Sequence, residues 1–376
     1  MKVKLLDLAA EYAEIKNDAL REIKKVCDRQ GFVLGENVRK LEEELANLSK
    51  AKYAVGVASG SDALMLALMA LGIRPGDKVI TTPYTFFSTA GSISILGAIP
   101  VFVDIDPKTF NIDPLALRKI LKDKKGKGAK AVIPVHLYGQ CADMTAINKI
   151  AKEFKLSVVE DAAQSIGATY KGRGAGSMGD VGCFSFYPTK NLGCFGDAGL
   201  VTANNKTLAE KLRILRVHGS AKRYEHTLVG VNSRIDEIQA AVLRVMLKKL
   251  KKWETARIKN AKLYGRLFSK ADLEKKVRPP FIEEHNHSVF NQYVIRAKSR
   301  DKLREHLAKN GIGSEIYYPL PLHLQRCFKD LGYKRGDFPE AERAAKETLA
   351  LPIFPFLKVK EIEYVVQVIK DFYEVS

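Results

Sequence analysis

The sequence predicts an α/β protein, with a large, mainly parallel α/β/α sheet domain followed by a smaller α+β C-terminal domain. Three observations predict it. Short β-branched or aromatic runs alternate with helical patterns through the first 250 residues, as in a parallel sheet covered by helices. A long helical pattern then carries the chain away from the sheet, and beyond it the alternation gives way to one strand and two helices. The chain has 376 residues, 46% hydrophobic and 28% charged, enough material for two or three lobes.

The first unit is Val55-Gly-Val-Ala58, a strand that leads through Ser59-Gly-Ser-Asp62 into a helix with Leu64, Leu68 and Leu71 on one face, stopped at Gly72. Buried strands follow at Lys78-Val-Ile-Thr-Thr82, Pro100-Val-Phe-Val-Asp104, Ala131-Val-Ile-Pro-Val135, Ser157-Val-Val-Glu160 and Val181-Gly-Cys-Phe-Ser-Phe186. Each is bounded by turn formers. From Arg234 a helical pattern runs through Ile238, Val242, Val245 and Trp253, and a boundary near 250 divides a domain of residues 1–250 from one of residues 251–376. In the second, residues 287–297 read as a strand, Arg300–Asn310 as a helix stopped at Gly311, and Val359–Tyr373 as a terminal helix.

The net charge of +19 raises a nucleic-acid reading, since clustered lysine and arginine release counterions from phosphates. The clusters argue against it. Lys122-Asp-Lys-Lys-Gly-Lys-Gly128 is a glycine-broken loop, and Lys248-Lys-Leu-Lys-Lys252 lies on the polar face of a helix. No zinc-finger spacing, recognition-helix signature or RNA-binding aromatic motif accompanies the charge, which suits the steering of anionic small substrates. No apolar run approaches the ~20 residues of a membrane span. The start, Met1-Lys-Val-Lys-Leu-Leu-Asp-Leu8, lacks a signal-peptide core, so a cytoplasmic location is expected. Cys27, Cys141, Cys183, Cys194 and Cys327 are scattered without a Cys-x-x-Cys pair; buried thiols are expected, with no disulfide frame and no metal site.

The chemistry concentrates in two runs. In Val159-Glu-Asp-Ala-Ala-Gln164 an apolar strand ends where the acids begin, placing Asp161 at the carboxyl edge of a parallel sheet, where such folds bind ligands. Read alone, Asp161 serves equally as a helix N-cap. The strand Val181–Phe186 likewise ends near Ser185 and Thr189 and is followed by Lys190. A lysine there is ordinarily solvated, yet its amine can hold an aldehyde cofactor as a Schiff base while a carboxylate keeps the cofactor's ring nitrogen protonated. Glycines crowd both sides from Gly172 to Gly199, as suits a chain folded around a flat ring, or a mobile surface loop. The turn Ser59-Gly-Ser-Asp62 is a ready phosphate seat at a helix N-terminus, and a capped helix explains it as well.

In order along the chain, that turn, the aromatic segment Tyr84-Thr-Phe-Phe-Ser88, Asp161 and Lys190 resemble the pyridoxal phosphate-dependent nucleotide-sugar aminotransferases, the DegT/DnrJ/EryC1/StrS family, within the fold type I aspartate aminotransferase superfamily. The resemblance covers nearly the whole chain. It includes Phe32-Val-Leu-Gly-Glu36, Ala58-Ser-Gly-Ser-Asp-Ala-Leu64, Val103-Asp-Ile-Asp-Pro107 and Ser185-Phe-Tyr-Pro-Thr-Lys-Asn-Leu-Gly193. It continues in Val231-Asn-Ser-Arg-Ile-Asp236, Tyr317-Tyr-Pro-Leu-Pro-Leu-His323 and Phe338-Pro-Glu-Ala-Glu-Arg343.

The resemblance implies a transaminase that moves the amino group of glutamate, through pyridoxal 5′-phosphate, to a keto-sugar nucleotide in amino-sugar and polysaccharide biosynthesis. It implies that Lys190 forms the Schiff base and then shuttles protons, that Asp161 holds the pyridinium nitrogen, and that Gln164 lies near the ring's phenolic oxygen. Phe86 is implied to stack on the ring, and Ser59, Gly60, Ser61 and Ser185 to hold the phosphate. Asn232 is implied to reach that phosphate from the neighbouring subunit of a homodimer with shared sites; from the residues alone it is a polar residue before a helix. Gln30 and Phe32, in a substrate loop near 28–36, are implied to line the sugar-nucleotide cleft with Thr189, Arg234, Tyr317 and Tyr318. Arg234 also reads as a helix-start arginine paired with Asp236.

Two departures from the family pattern stand out: Gly196-Asp-Ala-Gly199 where many relatives carry Gly-Glu-Gly-Gly, and Ser61 where threonine is common. Both keep the acid or the hydroxyl. With Leu137-Tyr-Gly-Gln-Cys-Ala-Asp143 and His218–Tyr224, the Gly-Asp form is similar to enzymes that aminate a 3-keto position of dTDP- or UDP-linked sugars. A 4-keto substrate, a fold type I lyase or desulfurase, and a sensory or regulatory role remain as other readings. Lys190 argues against the dehydratases of the family, which carry histidine there.

Overall fold

The computed structural model describes residues 1–375. Its strands begin with β1 (Tyr53–Val57), β2 (Lys78–Thr81), β3 (Ile99–Phe102), β4 (Ala131–Val132) and β5 (Ser157–Asp161). A small hairpin follows, β6 (Thr169–Tyr170) with β7 (Arg173–Gly174), and then β8 (Val181–Ser185) and β9 (Gly199–Ala203). Among the described residues the main sheet has seven strands in the order β1-β9-β8-β5-β4-β2-β3. β9 runs antiparallel to both its neighbours, and every other pair is parallel. β3 and β4 are shorter than the sequence suggests. Pro134 has no N–H to continue a central strand, whereas Pro100 is tolerated because β3 is an edge.

Helices α1 (Leu8–Arg29) and α2 (Glu36–Ser49) precede the sheet, α3 (Gly60–Ala70), α4 (Ser88–Ile95), α5 (Pro114–Lys122) and α6 (Met144–Phe154) are threaded between its strands, and α7 (Lys206–Leu215) follows the last of them, β9. Ala63, Leu64, Leu66 and Ala67 of α3 pack with Val55, Val159, Val181 and Val201, closing one face of the sheet together with α7. On the other face Leu41, Leu45, Ile147 and Ile150 pack with Val242, Leu243 and Trp253 of the long helix α8 (Glu237–Lys270). The sheet is therefore covered on both sides, which is why its strands are apolar throughout.

A hairpin of β10 (Ser220–Lys222) and β11 (Glu225–His226) precedes α8, and β12 (Val277–Arg278) and β13 (Asn286–His287) follow it. The expected strand over 287–297 is in fact two elements. β13 adds to the β6–β7 hairpin, while β14 (Tyr293–Ala297) lies between β12 and β15 (Thr348–Leu351) in the sheet of the small lobe. The break arises because Val289 N and Asn291 N donate to Gly139 O and Tyr138 O of the large lobe instead of to a strand partner. Helices α9 (Arg300–Lys309), α10 (Pro339–Glu347) and α11 (Val359–Val375) complete this lobe.

No interruption of the chain marks residue 250, because α8 runs unbroken through it and the change of core occurs inside the helix. Residues up to Trp253 pack against the main sheet, whereas Ala261, Tyr264 and Phe268 join Tyr293, Ile295 and Ile369, with Val3 from the opposite end of the chain. Arg257 and Asn260 fix the crossover by donating to Ile353 O and Phe354 O. Cys141, Cys183 and Cys194 are buried, but Cys27 is half-buried and Cys327 exposed, so the expectation of buried thiols holds for three positions. Among the described residues, no cluster of His, Cys, Asp or Glu could hold a metal ion, and no helix is long and apolar enough to cross a membrane.

Candidate active site

Adjacent parallel strands β5 and β8 end side by side, and their successors meet in a cavity of about 640 Å³. Side chains alternate along β5, so the two acids of Glu160-Asp161 point to opposite faces. Glu160 is wholly buried and accepts hydrogen bonds from Gly176 N, Met178 N and Gly179 N and from His136 Nε2. His136 Nδ1 accepts from Ala142 N, which leaves the ring proton on Nε2. Glu160 is thus committed to holding the loop before β8.

Asp161 faces the cavity instead. Its Oδ2 accepts from Thr89 Oγ1 at 2.7 Å and its Oδ1 from Ala163 N at 3.2 Å. No helix starts there, so the N-cap reading falls: Asp161 closes β5 and the chain continues in turns. Burial pushes its carboxyl above the usual range, opposed by the Thr89 hydroxyl, the Ala163 amide and the charge of Lys190.

Lys190 stands in the loop after β8, where its backbone N–H donates to Tyr187 O at 2.9 Å. The loop returns on itself, with Cys194 N bonded to Phe186 O and Phe186 N to Ala198 O. Gly193 permits this closure, since a Cβ there would lie 2.5 Å from Pro188 O. Burial lowers the Lys190 amine to about 8, against the pull of Asp161. The neutral fraction near neutral pH is raised well above that of an ordinary lysine, which favours a nucleophilic amine.

The third wall is the N-terminus of α3. Ser59 caps the helix by accepting from Asp62 N at 3.1 Å, and Ser61 Oγ lies 2.6 Å from Ser88 Oγ. Gly60 approaches Ser185 so closely that a Cβ would sit 2.6 Å from Ser185 Cβ. Hydroxyls and free amides therefore converge at the positive end of a helix dipole, a seat for an anion. Above the cavity, Gln164 accepts from Tyr138 N and donates to Tyr318 OH, and the rings of Phe86 and Tyr318 lie 6.1 Å apart.

This donor set fits the cofactor that the resemblance implies. The buried Asp161 carboxylate takes its hydrogen bonds from neutral donors, leaving it suited to a cationic ring N–H, and the anion seat opens on the same cavity as the amine. Of the residues singled out from the sequence, Ser59, Gly60, Ser61, Phe86, Asp161, Gln164, Ser185, Thr189, Lys190, Tyr317 and Tyr318 line this cavity.

Gln30, Phe32, Asn232 and Arg234 do not line it. Gln30 caps α1 and donates to Cys27 O, Phe32 O accepts from Glu237 N, and Asn232 is bridged to Val217. Phe32, Asn232 and Arg234 share the approach to α8, beside the exposed Val33 and Leu34. Sequence reasoning missed Thr89, Tyr187, Ser88 and Gln292. Ser88 and Thr89 lie at or beside the end of the aromatic segment already noted, but Thr89 meets Asp161 across 72 residues of chain.

The model of the DegT/DnrJ/EryC1/StrS aminotransferase family matches residues 13–370. A Geobacillus stearothermophilus protein named pleiotropic regulatory protein is 51% identical, covering 99% of both chains. The UDP-2-acetamido-2-deoxy-3-oxo-D-glucuronate aminotransferase of Pseudomonas aeruginosa is 40% identical, over 96% of this chain and 98% of that one. The crystal structure of S. venezuelae DesV in complex with a ketimine intermediate matches with a TM-score of 0.95 and 39% identity, covering 99% of each chain.

Proposed function

Because this chain belongs to the DegT/DnrJ/EryC1/StrS aminotransferase family, we propose that it transfers the amino group of glutamate to a keto-sugar nucleotide, with a 3-keto dTDP- or UDP-sugar as the favoured acceptor. The observation that carries the reading is the single cavity shared by the Lys190 amine, the buried Asp161 carboxylate and the anion seat at Ser59, Gly60, Ser61 and Ser185. The 3-keto preference is supported by the Pseudomonas relative, whose name specifies a 3-oxo sugar.

Pyridoxal 5′-phosphate, once bound, supplies an aldehyde that exchanges amines and a protonated ring that withdraws electrons from the amine-bearing carbon. The α3 N-terminus and its hydroxyls bind and orient the phosphate. Asp161, anchored by Thr89, keeps a proton on the ring nitrogen, and Gln164 and Phe86 fix the ring's edge and face. Lys190, its amine lowered to about 8, holds the resting cofactor and then moves a proton to and from the carbon that exchanges the amine. Thr189, Tyr317 and Tyr318 form the part of the sugar pocket built by the same chain.

Gln30, Phe32, Asn232 and Arg234 belong to the cavity of a second copy in a homodimer with shared sites. Their place off the home cavity supports this, as do the exposed apolar Phe32, Val33 and Leu34 beside them. In that arrangement Asn232 contacts the phosphate, and Arg234 offers a planar fork to the diphosphate or a sugar carboxylate.

The test joins a spectrum to a substrate panel. Purified protein is expected to absorb near the visible edge, to lose that band on addition of glutamate, and to aminate at least one of the dTDP- and UDP-linked 3-keto and 4-keto sugars, as read by product mass. A Lys190→Ala protein that still turned over would sink the assignment, and an intact glutamate response with no accepted sugar would sink the substrate class. The regulatory name of the Geobacillus relative and the charge of +19 recommend one control. DNA retention is expected to be lost at moderate salt.

A further inference from the structure

A second cavity, of about 600 Å³, opens in the small lobe between β12, β14, α9 and α10 and shares no lining residue with the first among the described residues. Its wall carries nine lysines and arginines against two acids, Asp301 and Glu347, among the described residues. Charge of this density on a convex surface is ordinary. In a concave wall the surrounding low-dielectric protein focuses the field of the charges into the cleft, and their contributions add.

Three arginines of this wall crowd one another. In the antiparallel pair of β12 and β14, Arg278 lies directly opposite Arg296, a position where like charges destabilise a sheet. Arg343 of α10 adds a third guanidinium whose charge reaches Arg296. The countercharges are weak matches. Glu347 Oε2 lies 3.3 Å from Arg296 Nε without hydrogen-bond alignment, and Glu340 is taken by Arg343.

Arg296 is itself buried, at 9% exposure, and its Nη1 donates to Pro107 O at 2.9 Å. Its Nε and Nη2 have no hydrogen-bond partner among the described residues and are sealed from the cavity, and the guanidinium stands 5.2 Å from the centre of the Phe110 ring, so its charge, rather than its donors, acts on the wall. Arg300, by contrast, is committed to Asp301 Oδ1, Thr348 O and Ala345 O and holds the lobe together. The ten-residue helix α9 begins at the same wall, and its N-cap Ser299 makes no side-chain capping bond, which leaves first-turn amides open.

We infer that this cavity binds a small multivalent phosphate-type anion, such as inorganic pyrophosphate or the phosphate chain of a nucleotide, held by Arg278 and Arg343 with the buried charge of Arg296 behind them. An anion beside Arg278 and Arg343 offsets the repulsion that these guanidinium groups share with the buried charge of Arg296. The volume falls within the roughly 300–1,000 Å³ of small-molecule sites, and a concave pocket favours a small ligand over an extended polymer.

Calorimetric titration of the holoenzyme with inorganic pyrophosphate tests the inference, at about 0.15 M salt, where exposed charges are screened. One saturable site is expected. Arg278→Glu and Arg343→Gln are each expected to weaken it by about tenfold or more, with the visible absorption band unchanged and, for Arg278→Glu, a melting temperature no lower than that of the wild type. Both side chains are exposed, and Lys346→Glu, also exposed, replaces either variant that fails to fold. A nucleoside triphosphate run alongside separates the sources: tighter binding than pyrophosphate assigns a role to the nucleoside, equal binding to the phosphates alone. The inference is overturned by absence of binding, by binding lost at that salt, by variants that bind as tightly as the wild type, or by displacement of pyrophosphate by a duplex oligonucleotide.

Discussion

Thr89 governs Asp161, and its importance comes from a single proton. The hydroxyl donates to a buried carboxylate already pushed upward by desolvation, so it favours the ionised form that must face a cationic ring nitrogen. Thr89→Val removes the donor and raises the Asp161 pKa further. Asp161 acts ionised, so the acid limb of the kcat/KM profile moves to higher pH, by about one unit for a charge-assisted hydrogen bond. Thr89→Ser is expected to restore the limb. A pH–rate profile checks both, and an unmoved limb in the valine variant refutes the role. The sequence marked Asp161 and Lys190 because one ends an apolar strand run and the other follows such a run within a few residues. It did not mark Thr89, whose partner lies 72 residues away.

At the scale of elements, the turn into α3 is set by a close approach that the sequence shows only as one glycine among many. Gly60 packs against Ser185, so Gly60→Ala forces α3 away from β8 at the phosphate seat. A loss of about 1–3 kcal/mol of stability is expected from overpacking of this kind. Faster loss of cofactor on dialysis is expected with it, followed by the decay of the visible band. Six of the seven strands of the main sheet, with α3 and α8, were legible because apolar runs and turn residues coincide; the remaining helices of the sheet domain were not placed from the sequence. β9 was not, since Gly199-Leu-Val-Thr-Ala203 closes a glycine-crowded stretch that reads as loop, and its antiparallel pairing depends on partners over 100 residues apart for β1. The division of 287–297 into β13 and β14 was hidden for a similar reason: it is made by hydrogen bonds to Tyr138 and Gly139.

For the whole molecule, the residues that miss their own cavity predict its assembly. Lys190→Ala and Asn232→Ala proteins are each expected to be strongly impaired, yet hybrids formed by co-expression should regain activity. In a shared-site dimer, one of the two sites in each hybrid pairs an intact Lys190 with an intact Asn232. Random mixing then restores roughly a quarter of wild-type turnover, and no recovery in verified hybrids refutes the shared site. That Asn232 stands apart from Lys190 in one chain was not legible from order along the sequence, which says nothing of which copy a residue serves. The helix α8 bears on how such a dimer works. Its 34 residues make a rod about 51 Å long, rooted in both cores and tied at the crossover by Arg257 and Asn260. A rod rooted in both cores makes the spacing of the lobes depend on one helix, so a change at its crossover is felt at the mouth of the catalytic cavity, to which the small lobe contributes Gln292, Tyr317 and Tyr318.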